Sequence, residues 1–402
     1  MRWNAAGVVS CAVAVVLGVT GCSLSMSSAS SSGSSSPSSG AASGTSPGGS
    51  SGTSSGGSSS TSSGAASSGS SASAGSSVPA VSATSPPSAP PKLSISQVDA
   101  GMVDLVSQQS LAGTAAAGTG IVLTSNGEVL TNNHVITGST SLSGVDIGNG
   151  RTYTASVIGY DRTHDLALVQ LHGASGLQTL QLDSAAKVAV GDAVTALGNA
   201  GGKGGTPAVA TGSVTGTDQQ IIASDEGSGS SEQLNGLIQV DAPIQAGDSG
   251  GPLLNASGQV IGIDTAATVS YQFQTAPAQG FAITAAQAQQ TAAAIAAGLS
   301  SSTVHIGPTA WLGVGVGAAN ASVAGTSGAE IVQVIPGSPA DGLGLAPGDI
   351  ITSLNGSQVG DPTTLTRLLD LHHPGDSVTI GWTDANGQAQ SSPLRLGSGP
   401  AG

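Results

Sequence analysis

The chain has 402 residues, with 8 Lys and Arg against 22 Asp and Glu, a formal net charge of −14. No basic stripe is available to neutralise phosphates, which excludes nucleic acid as a partner. The two cysteines, Cys11 and Cys22, both lie within the first 22 residues, so the remaining chain has no disulfide to form. Aromatic residues make up 2%. Stability must therefore come from burial of Val, Ile, Leu and Ala.

Residues 1–22 read as an export signal. Arg2 gives a positive start, Ala5 to Val19 is almost wholly apolar, and Val19-Thr20-Gly21-Cys22 has the small residues and cysteine of a bacterial lipobox. The apolar run is short for a bilayer span of about 20 residues, and fits a signal h-region better. Lipidation at Cys22 is expected, with an uncleaved membrane anchor as the alternative. Residues 23–91 carry no charge and no histidine and end in Pro86-Pro87-Ser88-Ala89-Pro90-Pro91. Such a segment buries too little apolar surface to offset its ordering entropy and is expected to be a disordered linker. As a flexible coil it would span roughly 45–50 Å.

Ordered structure is expected from about Leu93. Ile95, Val98, Met102, Val103 and Val106 recur at helical spacing and predict a short leading helix. From about 118 to 285 the pattern is one of short strands between Gly, Asn, Asp and Ser. His134 follows the strand-like Gly120-Ile121-Val122-Leu123-Thr124, inside Leu130-Thr131-Asn132-Asn133-His134-Val135-Ile136. Asp165 precedes an apolar strand in His164-Asp165-Leu166-Ala167-Leu168-Val169. Ser249 stands in Gly247-Asp248-Ser249-Gly250-Gly251-Pro252, where glycines permit a contorted backbone.

A serine hydroxyl is a poor nucleophile near neutral pH. It needs a base within hydrogen-bond reach, and that base needs a third group to fix its tautomer. The order His, Asp, Ser is that of chymotrypsin-type double barrels. It assigns Ser249 as nucleophile, His134 as base and Asp165 as its orienting acid. The N–H groups of Gly247 and Ser249 would form an oxyanion hole, a term of about 3–4 kcal/mol per donor.

Other candidates are weaker. His164 abuts Asp165, but neighbouring strand residues point to opposite faces. His172, His305, His372 and His373 are expected to face solvent or lie near the ends of elements. His372-His373 has no accompanying cysteine or carboxylate cluster, so no metal is expected. Gly198-Asn199-Ala200-Gly201-Gly202 lacks the Lys-Ser/Thr ending of a phosphate loop, and no cofactor is implied.

Thr284–Leu299 reads as a closing helix. A second domain is expected from about Thr309, with Trp311-Leu312-Gly313-Val314, Ile335-Pro336-Gly337-Ser338-Pro339-Ala340, Gly344-Leu345-Ala346-Pro347-Gly348-Asp349-Ile350-Ile351 and Leu354-Asn355-Gly356. These runs resemble a PDZ domain. Pro362–Leu371 would be the helix beside its peptide groove.

Together the histidine, aspartate and serine blocks, followed by Gly280-Phe281-Ala282-Ile283, resemble the HtrA (Deg) family of trypsin-like serine proteases over about residues 95–297. The resemblance implies a mainly β fold: a chymotrypsin-like double β-barrel over 92–300, then a PDZ domain over 308–398. It implies a serine endopeptidase acting on unfolded or damaged proteins at the bacterial cell surface, outside the cytoplasmic membrane and tethered at its N-terminus. Gly280, Phe281 and Ala282 would contact substrate. The backbone of Leu312, Gly313 and Val314 would capture a peptide C-terminal carboxylate while the peptide adds a strand.

The alternative reading is a chaperone or peptide-binding scaffold whose triad rests inactive. The family also implies a homotrimer, but 93–118 lacks the aromatic residues that such trimers use. Asp248 stands where the family usually carries Asn, with no activation site to pair with it. Pro243, six residues before Ser249, occupies the place of the charge-selecting aspartate of trypsin, which points away from Lys or Arg at the cleaved bond.

Overall fold

β-Strands dominate the computed structural model, and several short apolar ones, such as residues 166–171 and 260–265, are buried on both faces. It describes residues 92–402 apart from 112, 225–230, 266–278 and 320–326. The export signal, Cys22 and the 23–91 linker lie outside the described residues.

The chain enters through a single helical turn, α1 (Ile95–Asp99), whose N-cap Ser94 and Gln97 form a reciprocal capping box. Of the short leading helix read from the sequence, only the first turn, with Ile95 and Val98, is formed. Met102, Val103 and Val106 belong instead to strand β1 (Met102–Gln109). Both faces of β1 are covered, so no alternation of polar and apolar residues distinguished it from a helix. Strands β2 (Thr114–Val122), β3 (Glu128–Thr131), β4 (Ser141–Asp146), β5 (Thr152–Asp161) and β6 (Leu166–Leu171) follow, with the short helix α2 (Asn133–Ile136) after β3. They pair in the order β5-β4-β1-β2-β3-β6, and β5 also pairs with β6, so the sheet closes on itself.

The second barrel is built from β7 (Ala193–Gly198), β8 (Ala208–Ser224), β9 (Ser231–Val240), β10 (Pro252–Asn255), β11 (Val260–Thr265) and β12 (Gly280–Thr284). It closes in the order β10-β11-β12-β9-β8-β7. Alternate residues of one strand serve two cores. Val129, Ala167 and Val169 fill the first barrel. Their neighbours Leu130, Leu166 and Leu168 join Leu197, Leu254, Ile263 and Phe281 of the second barrel in a shared core. Each fully buried Val, Leu or Ile among them contributes about 1.5–3 kcal/mol.

Helix α3 (Ala285–Ala296) lies across this shared core. Ala285, Ala288, Ala292 and Ile295 form its buried face, at the spacing of one helical stripe. The Thr284 hydroxyl caps its start by accepting Gln287 N–H, and Gly298, at φ 68°, ends it. Strand β13 (Val304–Ile306) then returns to pair with β5.

The second domain begins with β14 (Ala310–Trp311) and continues through β15 (Val314–Ala318), β16 (Ala329–Val334), α4 (Pro339–Leu343), β17 (Ile350–Leu354), β18 (Ser357–Gln358), α5 (Pro362–Leu369), β19 (Ser377–Thr383), β20 (Ala389–Arg395) and β21 (Gly397–Ser398). Its main sheet runs β15-β16-β17-β19-β20, with β18 on β17 and a separate β14–β21 pair. Leu312, Ile331, Ile351, Leu365 and Ile380 are among the side chains that fill its core. Pro362 occupies the first turn of α5 and Asp361 caps it by accepting Thr364 N–H at 2.7 Å.

A polar joint ties this domain to the first barrel. Asp370, just past α5, accepts Tyr160 O–H at 2.7 Å and Arg162 Nε–H at 3.0 Å. His305 is stacked between Tyr160 and His373, with ring centroids 4.9 Å apart on each side. Its ring nitrogens face the carbonyl oxygens of Asp370 and Pro308, at 2.7 and 3.1 Å. His305 is thus 3% exposed, contrary to the expectation that it faces solvent. It is buried by a domain packed on it from 65 residues further along the chain.

Candidate active site

His134 lies in α2, a single turn anchored by the buried Val135 and Ile136. The turn leaves the His134 side chain 40% exposed. Behind it, Asp165 ends a tight 3-10 turn (Arg162–His164) and adopts a left-handed conformation at φ 52°. That conformation costs a non-glycine residue about 1–2 kcal/mol, and three hydrogen bonds hold it. Asp165 N–H donates to Arg162 O at 3.1 Å. The buried Asn132 amide donates to Asp165 O at 2.9 Å. His134 N–H donates to Asp165 Oδ1 at 3.0 Å.

The Asp165 carboxylate then meets His134 Nδ1, at 2.9 Å from Oδ2 and 3.0 Å from Oδ1. This contact fixes the ring with Nδ1 toward the acid and Nε2 away from it. A second donor reaches the same carboxylate from the other barrel: Thr265 Oγ1 donates to Oδ2 at 3.0 Å.

Ser249 sits 3% exposed in the turn between β9 and β10. Thr119 N–H donates to Ser249 O at 2.8 Å, and Thr119 Oγ1 donates to Gly247 O at 2.8 Å. Gly118, in β2, has no room for a side chain, because one would meet Val135 at 2.6 Å and Ser249 O at 3.3 Å. The helix that carries His134 and the turn that carries Ser249 therefore press on the same backbone. Strand β11 completes the link, since Asp264 exchanges backbone hydrogen bonds with Gly250 and Gly251 while the next residue, Thr265, holds Asp165.

Gly247 has φ 98°, and a side chain there would run into Asn199 O. Among the described residues its N–H has no acceptor. The Gly198–Gly202 loop packs directly on this turn, with Gly201 N–H donating to Ala246 O at 2.7 Å.

The strand Gly280-Phe281-Ala282 is β12. It is paired on both edges, to β11 and to β9. Its backbone is thus committed to the barrel. A side chain at Gly280 would meet Ile244 at 2.7 Å, which sets this strand as a wall beside the segment leading to Ser249. In the second domain Gly313 has φ 85°, and a side chain there would strike Ser338. Leu312 O and Gly313 O accept Ala340 N–H and Ile335 N–H, at 3.0 and 2.9 Å. These bonds fix the Leu312–Val314 loop at the start of β15, a strand contacted by α5.

His164 does not lie on a strand beside Asp165. It closes the 3-10 turn, and its Nδ1 is 2.8 Å from Asp161 Oδ2. The hydrogen bond with Asp161, outweighing the opposing burial, raises its pKa above the usual histidine value. Thr119, Asn132 and Thr265 were not singled out in the sequence. Their residue types are common in turns and strand ends, and nothing local marks them.

Residues 118–263 match the family described as a trypsin-like peptidase domain, and 330–383 match the PDZ domain. The chain is 30% identical over 323 residues to the serine protease PepD of Mycobacterium tuberculosis, covering 76% of this chain and 67% of that protein. It is 32% identical over 298 residues to a probable periplasmic serine endoprotease DegP-like of Rhizobium meliloti, covering 71% and 54%. A probable periplasmic serine protease do/HhoA-like of Haemophilus influenzae is 36% identical over 275 residues, covering 65% and 54%. The chain thus spans 67% of the first relative and about half of the other two. With two closed barrels followed by a PDZ domain, and with relatives of this kind, the chain belongs to the HtrA/DegP family of trypsin-like serine proteases.

Proposed function

We propose that this protein is an extracytoplasmic serine endopeptidase. Ser249 attacks the scissile carbonyl, His134 takes the hydroxyl proton and returns it to the leaving amine, and Asp165 holds the imidazole tautomer and offsets its charge. The N–H groups of Gly247 and Ser249 stabilise the tetrahedral oxyanion. The observation that carries the reading is the His134–Asp165 contact. Its acid is held from both barrels, and the helix and the turn that bear His134 and Ser249 share the Gly118–Thr119 backbone.

Substrates are unfolded or damaged polypeptides, cleaved with β12 and the Pro243–Ile244 segment as the pocket wall. The Leu312-Gly313-Val314 loop takes peptide C-termini, and its fixed left-handed Gly313 supports that role. Relatives named periplasmic support an extracytoplasmic location. Tethering by a Cys22 lipid or an N-terminal anchor extends the sequence reading. A fluorophosphonate probe tests the assignment, since it labels an activated serine and not a surface hydroxyl. Wild type labels and degrades casein, while Ser249→Ala does neither and keeps its melting temperature. An unlabelled, folded wild type that still suppresses aggregation would instead support the chaperone reading.

A further inference from the structure

The segment that follows β21 leaves the PDZ domain and returns to the first barrel beside the helix that carries His134. Ala401 forms an antiparallel bridge with Ser139. Its N–H donates to Ser139 O at 3.0 Å, and its carbonyl accepts Gly138 N–H at 2.8 Å. The Ala401 side chain packs against the first-barrel core, which includes Val135 and Ile136 of α2. Gly402 lies over Thr137, where an added side chain would come within 2.9 Å of Thr137 Cα.

Helix α2 needs such support. It has four residues, far fewer than the about 12–15 at which an isolated helix becomes even marginal in water. Its orientation is therefore set by its neighbours. Thr137 closes it, with the Thr137 N–H and hydroxyl both donating to Asn133 O at 3.0 Å. The next residue, Gly138, has φ 74°. Without a side chain it can leave that conformation readily unless its amide is held, and the acceptor that holds it is Ala401 O. The other end of the segment is fixed in the PDZ domain. Strand β21 pairs with β14, Ser398 against Ala310 and Gly397 against Trp311, and Gly399 N–H donates to Thr309 O at 3.1 Å. The joint at Asp370 docks the same domain on Tyr160 and Arg162. This second tie lands instead on the turn that closes α2.

We propose that residues 399–402 brace helix α2, and that Ala401 is thereby a positioning residue for His134. Ala401 acts through residues 137–139, which fix the end of the helix and so the angle at which the imidazole meets Ser249. No covalent step is added to the hydrolysis.

The inference rests on His134 and Ser249 as base and nucleophile, so its test has one arm that does not depend on catalysis. In that arm amide hydrogen exchange is followed in the full chain and in a variant lacking residues 399–402. The Gly138 amide exchanges slowly in wild type, and the deletion speeds it by about tenfold or more. Equal exchange in the two would show that 137–139 are held without the segment, and would overturn the proposal. In the other arm kcat and KM for a peptide substrate are measured for the deletion and for Ala401→Pro. The proline removes the N–H donated to Ser139 O and leaves the carbonyl of position 401 in place. A misplacement of about 1 Å at a catalytic group can cost about a hundredfold. The deletion should therefore lower kcat by about tenfold to a hundredfold with KM within about threefold, and Ala401→Pro should lower kcat by less. Fluorophosphonate labelling should slow in the same order. A wild-type kcat in the folded variants, or a loss confined to KM, overturns the proposal; where the deletion fails to fold, Ala401→Pro decides alone. An unlabelled wild type whose Gly138 amide is still released by the deletion would count against the Ser249 reading and for the brace.

Discussion

Two histidine–aspartate pairs lie within a few residues of each other in this protein, and only one is assigned to catalysis. His134 meets Asp165 at 2.9 Å, and His164 meets Asp161 at 2.8 Å, each through Nδ1 and Oδ2. The histidine side chains are 40% and 35% exposed, and both acids are buried. Distance and burial do not separate them. The difference lies in what else each acid holds. Asp161 closes its own turn by accepting His164 N–H, and takes a further bond from Thr303 Oγ1 at 3.2 Å. Asp165 gathers distant segments: α2 through His134, and the second barrel through Thr265. A short His–Asp bond is a local cap unless the fold brings a nucleophile to the other side of the ring.

The sharpest test of that comparison is to give both acids the same substitution. Asp165→Asn should lower kcat by about 10⁴, because the amide cannot hold the imidazole in the required tautomer. Asp161→Asn should leave casein hydrolysis within about threefold of wild type, an effect well under 1 kcal/mol. Equal losses in the two variants would remove the distinction. Thr265→Val comes next. It deletes the second-barrel donor to Asp165 but leaves both His134 bonds. A hydrogen bond to a charged group is worth about 1.5–3 kcal/mol, so kcat/KM should fall by about tenfold to a hundredfold. The change should fall mainly in kcat, because the substrate does not touch Thr265 Oγ1.

The sequence made one side of this comparison visible and hid the other. Ser249 between glycines, His134 after a strand and Asp165 before one are signals carried by residue type and short-range pattern. Thr265 and Thr119 act through positions that only the closed barrels create, and threonine at a strand end is unremarkable. Strand β1 was misread for a related reason. Val103 and Leu105 fill the first barrel while Met102 fills the shared core. Continuous burial therefore replaced the two-residue alternation that identifies a strand. His305 gave no local signal, because its burial comes from the PDZ domain. Asp248 was visible as a departure from the family. Asp264, buried in β11 and bonded through its backbone to the same turn, was not.

The domain joint offers a third acid to set beside the first two. Asp370 receives Tyr160 and Arg162 from the barrel, and its own carbonyl faces His305. Burial, and next the Asp370 charge, push the Tyr160 phenol well above its usual range, so it remains a donor. Asp370→Asn keeps an acceptor for Tyr160 but removes the charge opposite Arg162. The expected loss is about 1–2 kcal/mol of stability, read as a lower melting temperature. Fluorophosphonate labelling of the folded enzyme should persist, since Asp370 lies in the domain joint and not in the Ser249 turn. Loss of labelling at full stability would show that the joint also tunes the site.

The smallest effect should come from the His164–Asp161 pair itself. The folded state raises the His164 pKa above its unfolded value of about 6.5, chiefly through the Asp161 bond. Folding therefore favours the protonated ring. The resulting stabilisation is fully present below the unfolded value and fades as pH rises through the higher folded value. The ring is partly exposed, so solvent screening should keep this contribution under about 1 kcal/mol. Asp161→Asn keeps an acceptor for His164 N–H but removes the charge. Thermal melts should therefore show a larger deficit relative to wild type near pH 5.5 than near pH 8.5, with the crossover lying above about pH 6.5. A deficit independent of pH would mean that Asp161 serves the turn through its backbone cap alone. The two His–Asp pairs would then differ in electrostatics as well as in what they hold.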